Sequence, residues 1–450
     1  MAGNRRHGLP RDRLACNETW LQDGGRENMM TQGATARYVD VGTAAGLAIV
    51  GTLCSIYIVS QFLRNSVGVI APELAAEIHL SPAEIGLLSS AFFFSFAAAQ
   101  MPLGLAIDRY GPKRCVVACA VLVIGGCVFF AYGTTASQLI LGRVLLGLGS
   151  ASFFMAPLAI YARWFAPERF STLTGVHLGV GSVGTLCATA PLAMIAAAWG
   201  WRTAFLGIGV IALLIMATVI VLVRDDPPGR RAERHYETLG QSIAGLISAI
   251  RTPSVGRLFL LNLASYSSFV LIVGLWGAPY LTHHYGYDLK SRGELLFVPA
   301  LTQIFGAFFW GPMDRVFGYH KAPVLLGCGI TAAALAVLAV AGRPPLWSVV
   351  VLFVVIGFFS AMTPVLIAHG KSLFPTRLIG RGITLFNMAA MAGVFLSQTV
   401  TGVVIELFST DGGIYPLNAY RSVFALQAAF LIVACIVYAG SHDPGRHRSG

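Results

Sequence analysis

Long apolar runs dominate the chain and alternate with short polar connections. Most of the runs contain about 20 residues or more, which is the length a helix needs to cross the hydrocarbon core of a bilayer. The pattern therefore predicts twelve membrane-spanning helices, numbered spans 1 to 12 in chain order. Their predicted bounds are residues 44–71, 84–106, 113–133, 137–162, 170–197, 203–223, 255–281, 292–313, 321–341, 346–369, 378–407 and 420–440.

Composition excludes a water-soluble globule. Apolar residues make up 56% of the 450 residues and charged residues only 11%, whereas soluble proteins contain roughly 25% charged residues. So much apolar surface must lie against lipid. The predicted fold class is an all-α integral membrane protein.

The positive charge lies mainly on one side of the predicted spans. The formal net charge is +11, and 24 of the 31 Lys and Arg residues fall in the N-terminal tail, the even-numbered connections and the C-terminal tail. Five lie on the opposite side, and Arg64 and Arg143 lie inside spans. This bias predicts that both termini are cytoplasmic. We expect a monomer in a bacterial inner membrane, without a nucleic-acid partner.

Residues 224–254 form the longest polar connection and separate two sets of six spans. The predicted organisation is a cytoplasmic tail that we expect to be disordered, two six-helix bundles with a cytoplasmic loop between them, and a short cytoplasmic tail. The N-terminal tail is residues 1–43, the two bundles are residues 44–223 and 255–440, the loop between them is residues 224–254, and the C-terminal tail is residues 441–450.

No pattern of catalysis, cofactor binding or metal binding is present in the sequence. The eight cysteines form no CxxC pair and mostly lie in apolar runs, which is typical of small buried side chains. No Ser/His/Asp set or nucleotide-binding loop is present. We therefore expect no enzyme activity, no cofactor and no metal.

The connections after spans 2 and 8 resemble each other. The first reads GLAIDRYGPKR (104–114) and the second GPMDRVFGYHK (311–321). Each contains glycine, then Asp-Arg, then glycine, then a basic residue. Asp108 and Asp314 are 206 positions apart.

A second pair of connections repeats at nearly the same offset. WFAPERFSTLTG (164–175) follows span 4 and LFPTRLIGRGIT (373–384) follows span 10, with Arg169 and Arg377 separated by 208 positions. Two agreeing offsets indicate a duplicated six-helix unit. Transporters are often built from such repeats, with the substrate site between them near the membrane midplane.

The Asp-Arg connections predict a polar latch at the cytoplasmic face. Glycine allows the tight turn, and a carboxylate is favoured beside a helix N-terminus. The alternative is that these residues only set topology, and the second copy of the pattern favours the latch. The predicted cytoplasmic gate comprises Gly104, Asp108, Arg109, Gly111, Lys113, Arg114, Asp314 and Arg315.

These motifs resemble the major facilitator superfamily across residues 44–440. The resemblance rests on the Gly-x-x-x-Asp-Arg-x-Gly-x-Lys-Arg pattern at 104–114, its degraded copy at 311–321, and GRVLLGLGSAS (142–152) in span 4. It implies two six-helix bundles that rock about a central site. It also implies that spans 1, 4, 7 and 10 line the path.

The segment FLRNSVGVIAPEL (62–74) resembles span 1 of the organophosphate:phosphate antiporter branch and, less closely, of the anion:cation symporter branch. In those branches a span-1 arginine helps to bind the anion. The antiporters have a matching arginine in span 7, but this chain has no Lys or Arg between Arg257 and Lys290. The resemblance, with this departure, favours a carboxylate over a sugar phosphate.

Arg64 and Arg143 are predicted to lie at one depth, roughly 10 and 9 Å below the outer face. A charge inside the membrane indicates a functional site unless neighbouring groups satisfy it. Arg64 is the better candidate to bind an anion, with hydrogen bonding to backbone carbonyls or to Gln61 and Asn65 as the alternative. For Arg143 both interpretations stay open. The remaining predicted substrate-site residues are Tyr266, Trp276, Tyr280, Gln303, Asn387 and Gln398.

None of the carboxylates falls in the middle of a predicted span, so His177 in span 5 is the candidate for proton coupling. A helix-packing role for His177 is the alternative. The functional hypothesis is a secondary transporter that moves a small organic anion by alternating access. Efflux of amphipathic or cationic compounds, and a membrane sensor that binds ligand without flux, are the alternatives. The coupling ion is left open.

Overall fold

A computed structural model describes residues 38–227, 239–374, 379–410 and 413–443 of the chain, without the side chains of Leu239, Ser242, Asp314, Arg315 and Ile379. Its long helices follow the predicted spans closely. The first four spans comprise Ala44–Ile78, Pro82–Tyr110, Pro112–Tyr132, and the pair Ala136–Ser150 and Ser152–Trp164. Spans 7 to 12 comprise Val255–Leu271 with Ile272–Trp276 and Gly277–Tyr285, then Leu289–Trp310, Lys321–Val340, Leu346–Phe359 with Thr363–Leu373, Ile379–Glu406 and Leu417–Ala439.

Spans 5 and 6 consist of the helices Pro167–Cys187 and Ala190–Leu222, which follow each other with only Ala188 and Thr189 between them and form an apolar stretch of 56 residues. A helix of that length would measure about 84 Å, nearly three times the hydrocarbon thickness of about 30 Å. The chain leaves helical geometry at Gly200, where φ is +81°. Next to this break, the Trp201 indole donates to Glu77 at the end of span 1. The C-terminal end of the stretch lies at the opposite face, because the Arg224 carbonyl just after Leu222 accepts from the Trp164 indole at the end of span 4. The stretch therefore crosses twice, and the eleven apolar stretches among the described residues make twelve crossings.

Spans 4, 7 and 10 are each interrupted within the bilayer. Span 4 changes helix at Ala151, span 10 breaks between Phe359 and Thr363, and span 7 contains a π-helical turn at Ile272–Trp276. Interrupted backbone at membrane depth is tolerated where it is enclosed by protein or lines a cavity. The interruptions thus occur in three of the four spans that the resemblance assigns to the transport path.

Close backbone contacts join the two halves at the predicted outer end. Gly68 of span 1 lies against the backbone of Val273 and Gly274 in span 7, and Gly86 of span 2 lies against Gly402 of span 11. A methyl group at either Gly68 or Gly86 would overlap backbone atoms of the facing helix. Small residues let membrane helices approach this closely. The predicted outer end is therefore closed.

The central connection 224–254, predicted as a polar loop, contains a helix at Leu239–Ile250. Gly245 of this helix lies against the guanidinium of Arg381 in span 11, and the helix also contacts span 2. The connection therefore touches both halves. The predicted disordered tail also ends earlier than expected, because the Val39 N–H donates to the Trp164 carbonyl at 3.0 Å. Residues 1–37 lie outside the described residues.

Candidate substrate site

Arg64 lies on span 1 with 5% of its surface exposed. Its Nη1 donates to the hydroxyl of Tyr266 in span 7 at 3.3 Å, and its guanidinium lies 4.9 Å from the ring centre of Phe96 in span 2. The buried Nε has no hydrogen-bond partner among the described residues. One long hydrogen bond leaves most donors of this cation unused. The guanidinium therefore lies beside the side chains of Phe96 and Tyr266 with most of its hydrogen-bonding capacity unused.

Arg143 lies on span 4 and is fully buried. Its Nη1 donates to the Leu63 carbonyl at 2.5 Å, and its Nε and Nη2 donate to the Leu88 and Ser89 carbonyls at 3.4 Å each. The guanidinium therefore braces spans 1 and 2 through their backbones. This geometry matches the backbone-bonding alternative for Arg143, not substrate contact.

The predicted common depth of the two arginines is confirmed. Arg143 bonds the carbonyl of Leu63, the residue that precedes Arg64 in span 1. Two cations therefore lie at one level, and they differ in how many of their donors the protein uses.

Among the predicted site residues of the C-terminal half, Tyr266 is in contact with Arg64. Trp276 is buried farther along span 7 and donates to Thr401 at 2.8 Å. Tyr280 packs edge-on against Tyr420, with ring centres 5.6 Å apart. Trp276 and Tyr280 therefore occupy packing positions, and their predicted contact with substrate is not visible in this geometry.

The predicted amide residues differ in their environment. Gln303 in span 8 is partly exposed, and Asn387 in span 11 is partly exposed with a buried Nδ2 that lacks a partner. Gln398 is fully buried, and neither of its amide atoms has a partner among the described residues. The Gln398 amide therefore forms no interhelical hydrogen bond among the described residues.

His177 is fully buried in span 5. Its Nδ1 lies 3.2 Å from the Tyr161 hydroxyl and 3.9 Å from the Cys54 sulfur, and its ring stacks on Tyr57 at 4.5 Å. These contacts join spans 1, 4 and 5. They support the packing role for His177, and its role in coupling stays a prediction.

The predicted gate after span 2 is a tight turn at Gly111, where φ is +92°. The carboxylate at the start of span 3 belongs to Asp225, which accepts the Lys113 N–H at 2.7 Å, while the side chain of Asp108 is exposed. A side chain at Gly111 would strike the Asp225 carboxylate. The sequence prediction placed Asp108 at this helix start, and the structure assigns that capping role to Asp225.

The C-terminal half repeats this arrangement. Asp443 follows span 12 and accepts the backbone N–H groups of Lys321 at 2.8 Å and His320 at 2.9 Å, at the start of span 9. The Lys321 ammonium bonds the Ser441 carbonyl, as the Lys113 ammonium bonds Ile220. A sequence signal was present, because Asp-Pro-Pro-Gly follows span 6 and Asp-Pro-Gly follows span 12.

We expect Asp443→Asn to lower thermal stability in a pH-dependent way. Burial alone raises the pKa of Asp443, but the Lys321 N–H and the bonds from His320 outweigh it and hold this pKa below its ordinary value of 3.8. A depressed pKa stabilises the fold above about pH 4, and this contribution is lost as the pH falls through the native-state pKa. The variant should melt earlier at pH 5, by the equivalent of about 1 kcal/mol. The difference from wild type should shrink in a detergent melting series as the pH falls below 3.8 and through the native-state pKa, and a difference that does not change with pH would refute it.

An ion pair at the predicted outer end was not anticipated from sequence. Arg292 was predicted at the edge of span 8, on the outer side, but lies inside it with 2% exposure. It forms an ion pair with Glu73 of span 1 and donates to the Val69 carbonyl at 3.1 Å and to Thr282 at 2.9 Å. Two of its three partners belong to the other half. Arg292 therefore fastens the closed outer end.

Among the described residues, no group of three or more His, Cys, Asp or Glu side chains is placed to hold a metal ion. The polar groups at the centre are one cation, phenols and amides. Such a set suits hydrogen bonding and charge pairing with a small polar ligand.

Two six-span halves packed around this buried polar centre define the chain as a multi-pass membrane transporter. Sequence features of the Major Facilitator Superfamily match residues 53–291 and again residues 258–450. The chain belongs to this superfamily.

Two relatives whose names state a cargo are each 23% identical to this chain over long stretches. The hexuronate transporter of Bacillus subtilis is 23% identical over 401 residues, which cover 84% of this chain and 93% of the relative. The probable sulfoacetate transporter of Cupriavidus necator is 23% identical over 279 residues, which cover 60% of this chain and 65% of the relative, slightly under two thirds of its length.

The fold also matches solved transporter structures. The chain superposes with a TM-score of 0.73 and 17% identity on a bacterial homologue of the human lysosomal transporter Spinster, in an inward-facing and unoccupied conformation. The match covers 88% of this chain and 97% of that protein. At this identity the likeness shows the fold.

Proposed function

We propose that the protein is a secondary transporter for a small organic anion and that Arg64 binds the anionic group. The observation that carries this proposal is the contrast among the buried arginines. Arg143 and Arg292 give their donors to carbonyls, a hydroxyl and a carboxylate, whereas Arg64 makes a single 3.3 Å bond to Tyr266. An intramembrane cation with unused donors is a candidate binding site for an anion.

A carboxylate fits the site better than a sugar phosphate. One guanidinium can pair with a carboxylate through two parallel hydrogen bonds, and span 7 contributes the neutral phenol of Tyr266, not a second cation. The names of two relatives, a hexuronate and a probable sulfoacetate transporter, describe small organic anions and support the same class. We expect the protein to act in a bacterial inner membrane with both termini cytoplasmic.

Alternating access is the proposed mechanism, and the contacts between the halves support it. The outer end is held shut by the Gly68–Gly274 approach and by the Arg292–Glu73 pair. Cargo would reach Arg64 from the cytoplasmic end in this state and from outside once those contacts part. His177 remains a candidate for coupling, and the coupling ion is left open.

A ligand screen followed by flux measurement tests the proposal. Purified protein is melted in the presence of a panel of carboxylates, sulfonates, phosphates, neutral sugars and organic cations. The hits are then assayed for counterflow in proteoliposomes. We expect monocarboxylate or sulfonate hits that stabilise the protein and exchange across the membrane.

Two outcomes would contradict the proposal in different ways. Stabilisation by cations or neutral compounds alone would favour efflux of other cargo. Binding of anions without counterflow would favour a sensor. Empty liposomes and a protein with Arg64→Gln serve as controls for leak and for binding outside the site.

A further inference from the structure

Buried polar atoms without partners gather on spans 1 and 11, next to Arg64. Gln398 is fully buried, and both its Nε2 and its Oε1 lack a hydrogen-bond partner among the described residues. Asn65 follows Arg64 in the chain, and its Oδ1 is also buried without a partner. The Asn65 Nδ2 is held by the Gln61 carbonyl at 3.1 Å and by Thr185 at 3.3 Å. The orientation of the unused Asn65 oxygen is therefore fixed.

Both amides lie beside Gly274 of span 7. The Asn65 Oδ1 lies 3.5 Å, and the Gln398 Nε2 3.7 Å, from the point that a Cβ on Gly274 would occupy. Gly274 belongs to the π-helical turn Ile272–Trp276, and its carbonyl accepts a hydrogen bond from Ser89 at 3.4 Å. The two unpartnered amide atoms therefore flank Gly274 between spans 1, 7 and 11, beside the Val270 Cγ1, which lies 2.8 Å from the same point.

A second buried glutamine, Gln427, contrasts with Gln398. Gln427 in span 12 accepts from Ser397 at 2.8 Å and donates to the Ala264 carbonyl, Ser267 and Ser268 at 3.0–3.1 Å. A buried amide without partners costs folding free energy, since it has given up its hydrogen bonds to water. Groups that weaken the fold in this way are typical of functional sites.

The chemistry of the two unused atoms specifies a hydroxyl group. The Gln398 Nε2 is a donor and the Asn65 Oδ1 is an acceptor. A hydroxyl can accept from the first and donate to the second, whereas a carbonyl satisfies only the donor and a methylene satisfies neither.

We propose that Asn65 and Gln398 bind a hydroxyl group of the cargo while Arg64 holds its anionic group, so that hydroxylated organic anions are preferred over their deoxy analogues. This inference rests on the proposed anion transport and adds the requirement for a hydroxyl.

Competition between matched acids tests the inference. The pairs are lactate with propionate and malate with succinate, which differ by one hydroxyl group, and they are assayed by binding to purified protein and by counterflow in proteoliposomes. The hydroxylated member of at least one pair should bind wild type at least about tenfold more tightly. Gln398→Met should remove this preference while the protein still binds the deoxy acid. Its melting temperature should equal or exceed that of wild type, because no protein hydrogen bond is lost.

Gln427→Met provides the matched control, since it replaces the same residue type at another buried position. It should lower the melting temperature, because four hydrogen bonds are lost, and leave the hydroxyl preference unchanged. The inference is overturned if Gln398→Met keeps the preference, or if it destabilises the fold as much as Gln427→Met. The second result would show that Gln398 serves the fold through Asn65 or a bound water.

Failure of this inference can be separated from failure of the proposed function. Anion binding that depends on Arg64 but shows no hydroxyl preference would overturn only the role of Asn65 and Gln398. Absence of any anion binding by wild type would overturn both.

Discussion

Replacing Arg64 with glutamine is expected to lower anion binding and transport about a hundredfold, equivalent to about 2.7 kcal/mol. The variant removes the charge-assisted bonds to the cargo and leaves only a neutral amide near Tyr266. Stability should not fall, because the cation makes one 3.3 Å bond within the protein and an uncompensated buried charge is itself destabilising. Arg64→Lys keeps the charge but loses the planar fork, so its loss should be intermediate. Binding curves and melting temperatures of the same preparations check both parts.

Arg143→Gln is the contrasting variant, since it removes a buried arginine at the same depth. Arg143 donates to three backbone carbonyls of spans 1 and 2. We expect this variant to lower the melting temperature and the yield of folded protein. If Arg64→Gln destabilises the protein as much as Arg143→Gln, Arg64 is a structural brace and the anion assignment is wrong.

Glu73→Gln is expected to shift the protein towards an outward-open state. The substitution leaves the Arg292 charge buried without its carboxylate whenever the outer end is closed. Loss of a buried partner is costly, and partial exposure of Glu73 reduces that cost. A shift of about 1–3 kcal/mol would change the ratio of the two states about 5- to 150-fold.

Spin-label distances across the outer end can measure this shift. Trp199 and Trp347 are highly exposed and belong to different halves, so cysteines there can be labelled in a background without the eight native cysteines. The long-distance population should increase in Glu73→Gln. Glu77→Gln is the control, because Glu77 pairs with Arg202 of its own half and should leave the distribution unchanged. An equal response from both variants would exclude the Arg292–Glu73 pair as the outer fastener.

Much of the fold could be predicted because membrane helices are defined locally. The length of each apolar run and the turn residues between runs place most span ends within about four residues of the observed helices, as for span 9 at Lys321–Val340. Span 1 is an exception, since its helix continues past the predicted end to Ile78. The helix at Leu239–Ile250 was missed because it contains only 12 residues and lies inside a polar connection. Its stability depends on packing against spans 2 and 11, which a local pattern does not reveal.

The position of the candidate site could be predicted from the sequence, but which of its residues are free to bind a ligand could not. Arg64 and Arg143 look alike in sequence, and only tertiary packing decides that Arg143 reaches three carbonyls while Arg64 reaches one phenol. The Arg292–Glu73 pair joins residues 219 positions apart, a separation that hydrophobic periodicity does not report. The hydrogen-bonding state of Gln398 likewise depends on which helices face it.

The most direct measurement of the central claim is a structure of the protein with an anionic hit from the ligand screen. We predict that its carboxylate or sulfonate lies within about 3 Å of the Arg64 guanidinium, on the side away from Arg143. An anion bound elsewhere, with Arg64 still held only by Tyr266 as in the ligand-free protein, would contradict the account.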